Sequence, residues 1–149
     1  MDEGAAQGFD LRNDARRFET SEASYALLAG LGNALQEMNQ LGIEQVWATV
    51  AQTSQRIRDG LRQIPGLTLH DLGAHQSGLI AFNVAGQDAF ELKRRLGLKR
   101  INIGANGVAY TPLDMQARGL ESVARISVSP LNNEHDIQLL IAALRELRD

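Results

Sequence analysis

The chain has 149 residues, 15 Lys and Arg against 18 Asp and Glu, 44% hydrophobic residues and no cysteine. That length supports one real core and is short for two. A formal charge of −3 removes the basic field on which non-specific binding to nucleic acid or an anionic membrane depends. Without cysteine these residues hold no disulfide framework, thiolate metal site or cysteine nucleophile, and no apolar run approaches the roughly 20 residues of a membrane span. Residues 1–20 are polar and acidic, unlike a signal or transit peptide, so a cytoplasmic domain or a piece of one is expected.

Residues 1–19 carry few apolar anchors and read as an extended lead-in, with the domain proper running over 20–149. From Glu22 the pattern changes. Leu27, Leu28, Leu31, Leu35, Met38 and Leu41 recur at three- and four-residue spacing and predict a helix with a buried stripe. Ser21 or Ser24 can cap its start, and Gly42 stands where a left-handed residue stops it. Tyr25 to Leu31 is apolar around the whole circumference, which calls for cover on more than one side. A second helix follows, with Ile43, Val46, Trp47, Val50, Ile57, Leu61 and Ile64 as its stripe and Gln52, Gln55, Arg56 and Arg58 on the wet side; Pro65-Gly66 ends it.

The period then switches to two. Leu67 to His70 and Gly78 to Val84 read as strands joined by a polar, hairpin-type link. Asp88 to Leu96 is a short helix ending at Gly97, and Arg100 to Ile103 is expected as a third strand. Thr111-Pro112-Leu113-Asp114 starts a short helix that ends at Gly119, with Thr111 as its cap and Pro112 at the first helical position. Val123 to Val128 is the fourth strand, and Asn133 with Asp136 caps a last helix that runs to about Arg148. The expected class is α+β: a small mixed or antiparallel sheet of three to four strands covered by helices, preceded by a long helix pair.

Most candidate motifs have an ordinary reading. Gly30-Leu31-Gly32 starts like a dinucleotide fingerprint but lies inside a helix, where close helix packing is expected instead. Lys93, Arg94, Arg95, Lys99 and Arg100 form the one basic cluster; without interleaved aromatics it reads as helix-end charge rather than an RNA surface. His70, His75 and His135 lack metal-ligand spacing, and Ser127 and Ser129 have no placed base. Lys93 and Lys99 lie beside arginines on what reads as solvated surface, not in a desolvated Schiff-base pocket. Arg125 stands apart. In its alternating strand Ala124, Ile126 and Val128 form the apolar face, so Arg125 points the other way, on a rigid element suited to a two-bond grip on a carboxylate. A plain surface arginine is the alternative from the residues alone.

Four segments carry a resemblance. They are Ala15-Arg16-Arg17-Phe18-Glu19 ahead of the first helix, Ile64-Pro65-Gly66 with the later Ser77-Gly78-Leu79-Ile80-Ala81-Phe82, Arg118-Gly119-Leu120 leading into Val123-Ala124-Arg125-Ile126-Ser127, and Asn132 to Ile137. In this order and spacing they resemble the C-terminal small domain of the class V aminotransferases. That pyridoxal-phosphate-dependent family includes cysteine desulfurases and isopenicillin N epimerases.

The resemblance implies that Arg125 binds the α-carboxylate of an amino-acid substrate. It implies pyridoxal phosphate in the complete enzyme, with the Schiff-base Lys, the pyridine-nitrogen Asp and the ring-stacking His in a large domain upstream. On this reading the chain holds no catalytic residue, binds no cofactor alone and is inactive alone. The missing N-terminal large domain and a homodimeric parent are the implied partners. Many relatives follow Arg-Phe-Glu with a Gly-Thr that reaches the partner subunit's cofactor phosphate; Ser21-Glu22 stands here, and the Glu22 carboxylate repels a phosphate. Cysteine desulfurases also place a nucleophilic Cys in the loop before the last strand. Gly104 to Asp114 contains none, which excludes sulfur transfer by that route. Transaminase, epimerase, lyase and decarboxylase chemistry all stay open. The reading from another class is a free-standing α+β ligand-binding or regulatory module that uses Arg125 for a carboxylated small molecule.

Overall fold

The computed structural model describes residues 11–20 and 22–147. They fall into two compact units, divided between Gln40 and Leu41.

The first unit holds a 3-10 turn, Ala15–Phe18, and all but the last residue of the helix α1, Tyr25–Leu41. Asp14 starts the turn by accepting from the Arg16 amide, and the Arg17 guanidinium lies 4.7 Å above the Phe18 ring. Ser24 caps α1 through its carbonyl, 3.0 Å from the Leu28 amide, and more loosely through its hydroxyl, 3.4 Å from the Leu27 amide. Ser21, the other candidate cap, lies outside the described residues. The expected buried stripe does not form: no residue of α1 is buried, and Leu27 is 75% exposed. The cause is visible in its composition. A segment apolar around its circumference, as Tyr25 to Leu31 is, needs cover on several sides, and one short turn cannot supply it. Nor do Gly30 and Gly32 mark a close helix crossing, since a Cβ on either would meet nothing within 4 Å.

The second unit starts with α2, Ile43–Arg62, after Gly42 at φ +82°. Only its second half is inside: Ser54, Ile57, Arg58 and Leu61 are buried, and Ile64 just beyond it, whereas Ile43 and Trp47 of the expected stripe are exposed. Arg58, expected on the wet side, is 2% exposed because it finds a carboxylate partner inside. The strands are β1 (Leu67–Leu69), β2 (Leu79–Val84), β3 (Gly104–Gly107) and β4 (Ser122–Ser127). They form one antiparallel sheet in the order β1-β2-β4-β3. Ile80, Phe82 and Val84 of β2 and Ala124 and Ile126 of β4 turn to one face. Against that face lie α2, α3 (Ala89–Leu98) and α5 (Glu134–Glu146), which add Leu92, Leu96, Ile137, Leu140 and Leu144 to the core. The role expected of Gly30 falls to Gly60, where a Cβ would stand 2.9 Å from Ile141 Cδ1 between α2 and α5.

Caps explain most boundaries. Asp88 accepts from the Phe90 and Glu91 amides to start α3, and Asn133 and Asp136 close a reciprocal capping box on α5. Thr111 precedes α4 (Pro112–Ala117) but makes no side-chain cap bond, and Gly119, at φ +64°, ends that helix. At the end of α3 the expected geometry is displaced. Gly97 stays helical; the left-handed residue is Arg100, at φ 61°, with the Ile101 amide bonded to the Leu96 carbonyl and the Arg100 amide to Gly97. This is a Schellman closure with arginine in the glycine position. It engages residues 100–101, so the third strand begins at Gly104 and not at Arg100.

Arginine in a left-handed conformation is strained by its Cβ, and glycine is not. Arg100→Gly is expected to raise unfolding stability by about 0.5–1 kcal/mol, the relieved strain less the added freedom of the unfolded chain. Urea denaturation of the two forms measures it.

Candidate functional site

The sheet face turned away from α2, α3 and α5 carries a cleft of about 230 Å³. Arg125 stands on the central strand β4, directly between Ala81 of β2 and Gly104 of β3. Two of the smallest residues flank it, so the long side chain has room to lie along the sheet. The cleft is closed by His70 and Asp71 after β1 and by Asp114, Met115 and Arg118 around α4. The alternation read from the sequence puts Arg125 on this face, and the register confirms that orientation. What sequence spacing does not show is that His70, Asp71 and Arg118 share the cleft with it, because they lie 55, 54 and 7 residues away.

The charges in the cleft are matched except one. Asp71 accepts from Arg58 Nε at 2.8 Å, and Asp114 pairs with Arg118 Nη1 at 3.1 Å. Arg58 also donates to the Ser77 and Leu79 carbonyls, and the second Asp71 oxygen takes the Ala81 amide at 2.9 Å. Arg118 donates to the His70 carbonyl at 2.8 Å. Arg125 pairs with no carboxylate among the described residues, and its Nε is buried without a hydrogen-bond partner. A buried guanidinium N–H in this state keeps hydrogen-bonding capacity that the described residues do not use. His70 Nε2 and Asn83 Oδ1 are likewise buried without partners. Burial holds the His70 pKa below its ordinary value, helped by the Arg118 charge and opposed by Asn83 and Asp71. Both burial and the Arg118 charge favour the neutral imidazole.

The other candidates stay apart from this cleft. Arg94 pairs with Glu91, and Lys99 with Glu146. Arg95 donates to the Leu147 carbonyl, so it serves the end of α5 rather than its own helix. Lys93, His75, His135 and Glu22 are exposed, as is Ser127; the Ser129 hydroxyl is tied into the turn at Asn132. Neither lysine lines the cleft, and no three described His, Asp or Glu residues cluster as metal ligands. No described helix is long and apolar enough to cross a membrane. A larger cavity of about 310 Å³ between α5 and residues 100–103 has the apolar core for a floor, and its Asp136 is engaged in the α5 cap.

The family model described as aminotransferase class-V matches residues 2–140. The chain belongs to this family. Among curated class-V relatives, the cysteine desulfurase of Pectobacterium carotovorum is 29% identical over 131 residues, 88% of this chain and 32% of that protein. The cysteine desulfurase of Klebsiella pneumoniae is 31% identical over 89% of this chain and 32% of its own length. The chain thus spans about a third of the relatives it matches and resembles their C-terminal third. The fold is shared with the apo cysteine desulfurase of Thermococcus onnurineus, at a TM-score of 0.80 and 18% identity over 98% of this chain and 36% of that one. A variant of C-DES with glycine covalently linked to its PLP cofactor aligns at 26% identity and a TM-score of 0.70, over 88% of this chain and 31% of that one.

Two measurements test the polar frame of the cleft. Asp71→Ala leaves a guanidinium that is 2% exposed without its counter-charge, and a loss of about 3 kcal/mol is expected in urea unfolding. For His70 the depressed pKa sets the sign. The unfolded chain binds the proton first, so the stability from neutral His70 is present above about pH 6.5 and is lost as pH falls through the folded value. His70→Gln is expected to flatten the fall in the urea midpoint between pH 7.5 and pH 5 relative to wild type.

Proposed function

We propose that this chain is the C-terminal domain of a PLP-dependent class-V enzyme acting on an amino-acid substrate, and that Arg125 grips the substrate α-carboxylate. The observation that carries the reading is the unmatched Arg125 guanidinium on a central strand, in a cleft whose other charges are compensated. Two parallel N–H donors on a rigid strand fix both the position and the plane of a carboxylate. Such a contact turns binding energy into orientation of the substrate's reacting carbon.

The residues described here do not make a PLP site by themselves. Both lysines stand on exposed surface, and one of them is paired with Glu146. The cofactor is accordingly assigned to the complete cytoplasmic enzyme, held by a large domain beyond these residues, with this chain inactive and cofactor-free on its own. When bound, PLP supplies the electron sink for carbanion chemistry. The apolar, unburied α1 suits cover by that large domain or by a second subunit of a homodimer. Sulfur transfer through a cysteine of the loop before β4 is not part of the proposal, because residues 104–114 have none. Transamination, epimerisation, lyase and decarboxylation chemistry remain equivalent from this half of the site.

In the complete protein, Arg125→Ala is expected to weaken amino-acid binding by about 1.5–3 kcal/mol, the worth of hydrogen bonds to a charged group. Substrate KM rises accordingly, while the bound cofactor's absorbance stays unchanged. Unaltered kinetics in the variant would remove Arg125 from the substrate site.

A further inference from the structure

We propose that Gly104 is a positioning residue for Arg125: the side chain it lacks leaves the berth in which the guanidinium lies. The inference rests on the carboxylate reading of Arg125 and extends it to a residue that need not touch substrate.

A glycine inside a strand weakens it and often marks the close approach of another group. β3 reads Gly-Ala-Asn-Gly, a poor strand by propensity. Nothing in the backbone demands glycine at 104. The left-handed glycines of the described chain are Gly42, Gly66, Gly73, Gly86 and Gly119. The neighbouring side chain favours it instead. A Cβ on Gly104 would stand 3.3 Å from Arg125 Nε and 3.5 Å from both Arg125 Cβ and Nη2. All three of its nearest neighbours belong to that one side chain. Gly104 is also the register partner of Arg125 on β3, as Ala81 is on β2.

The arginine therefore lies over β3 with its Nε drawn down against the Gly104 position. That placement accounts for an Nε that is buried yet unbonded. It also restrains the guanidinium, so less side-chain freedom is lost when a carboxylate arrives. A methyl at 104 must push Nε outward by a few tenths of an ångström, and a branched side chain fills the berth.

The test uses the 149-residue chain, labelled with 15N, and acetate as the carboxylate probe. The Arg125 Nε–H resonance is assigned by its disappearance in Arg125→Lys. Two readouts are independent. Hydrogen exchange at Nε reports the berth and is expected to quicken about tenfold in Gly104→Ala and further in Gly104→Val. Acetate titration reports the carboxylate site: the wild-type resonance shifts, and Gly104→Ala weakens acetate about tenfold, as for one charge-assisted hydrogen bond. In the Arg125→Lys background, which lacks that Nε and in which acetate is followed at the backbone amide of residue 125, Gly104→Ala is expected to leave acetate binding unchanged. Equal losses in both backgrounds would mean a general disturbance of the sheet and would overturn the proposal. Unaltered Nε exchange in both Gly104 variants would overturn it as well. Faster exchange in the variants with a wild type blind to acetate supports the berth and overturns the carboxylate reading instead.

Discussion

The ion pair between Arg58 and Asp71 ties the helical layer of the second unit to the opposite face of its sheet. Arg58 starts on α2, among residues packed on the core, and reaches a carboxylate that lines the cleft. Burying a guanidinium is costly unless its donors are used. Here three of the five are: Nε goes to Asp71 and Nη2 to the Ser77 and Leu79 carbonyls, before and at the start of β2. Asp71 in turn takes the Ala81 amide just where β1 has run out, next to the bond from the His70 amide to the Ala81 carbonyl. A side chain thus continues the ladder that the backbone leaves unfinished. The nine-residue link between β1 and β2 is held at both its ends by this arrangement, and the cleft wall with it.

The same pair decides the electrostatics of the site. A carboxylate near Arg125 with no partner of its own would compete for that guanidinium. Arg58 engages Asp71 and Arg118 engages Asp114, so each acid in the cleft is answered by an arginine other than Arg125. One positive group is left over, on the most constrained strand of the sheet, flanked by alanine and glycine. A binding group needs that combination of unspent hydrogen-bonding capacity and fixed position. Burial and the Arg118 charge disfavour a proton on His70, and so a second uncompensated cation in the cleft.

Membership of the class-V aminotransferases gives this half-cleft a context. The curated relatives run about three times as long as the part matched here, and their names describe chemistry at sulfur. Residues 1–149 contain no cysteine, so what they share with those relatives is the fold and not a cysteine nucleophile. The first two turns of α1, apolar around their circumference from Tyr25 to Leu31, likewise carry hydrophobic surface that no burial within these residues satisfies.

Much of the second unit is legible in the sequence because its signals are local. Alternation in Leu79–Val84 and Ser122–Ser127 marks two strands and the side of the sheet that Arg125 takes, and caps at Asp88 and Asn133 mark helix starts. By itself the sequence determined the α+β class, the family resemblance and the orientation of Arg125, since periods of 2 and 3.6 residues are written in neighbouring positions. It misled where a local pattern was overruled. Ile101 and Ile103 look like a strand, but the left-handed closure at Arg100 claims that stretch; Arg58 looks solvated, but a carboxylate 13 residues on draws it inside. Only the tertiary structure decided which acids are neutralised, which arginine is left unmatched and what a side chain at residue 104 would meet. Those are properties of pairs in space, and a pair's energy depends on a distance that no spacing of residues records.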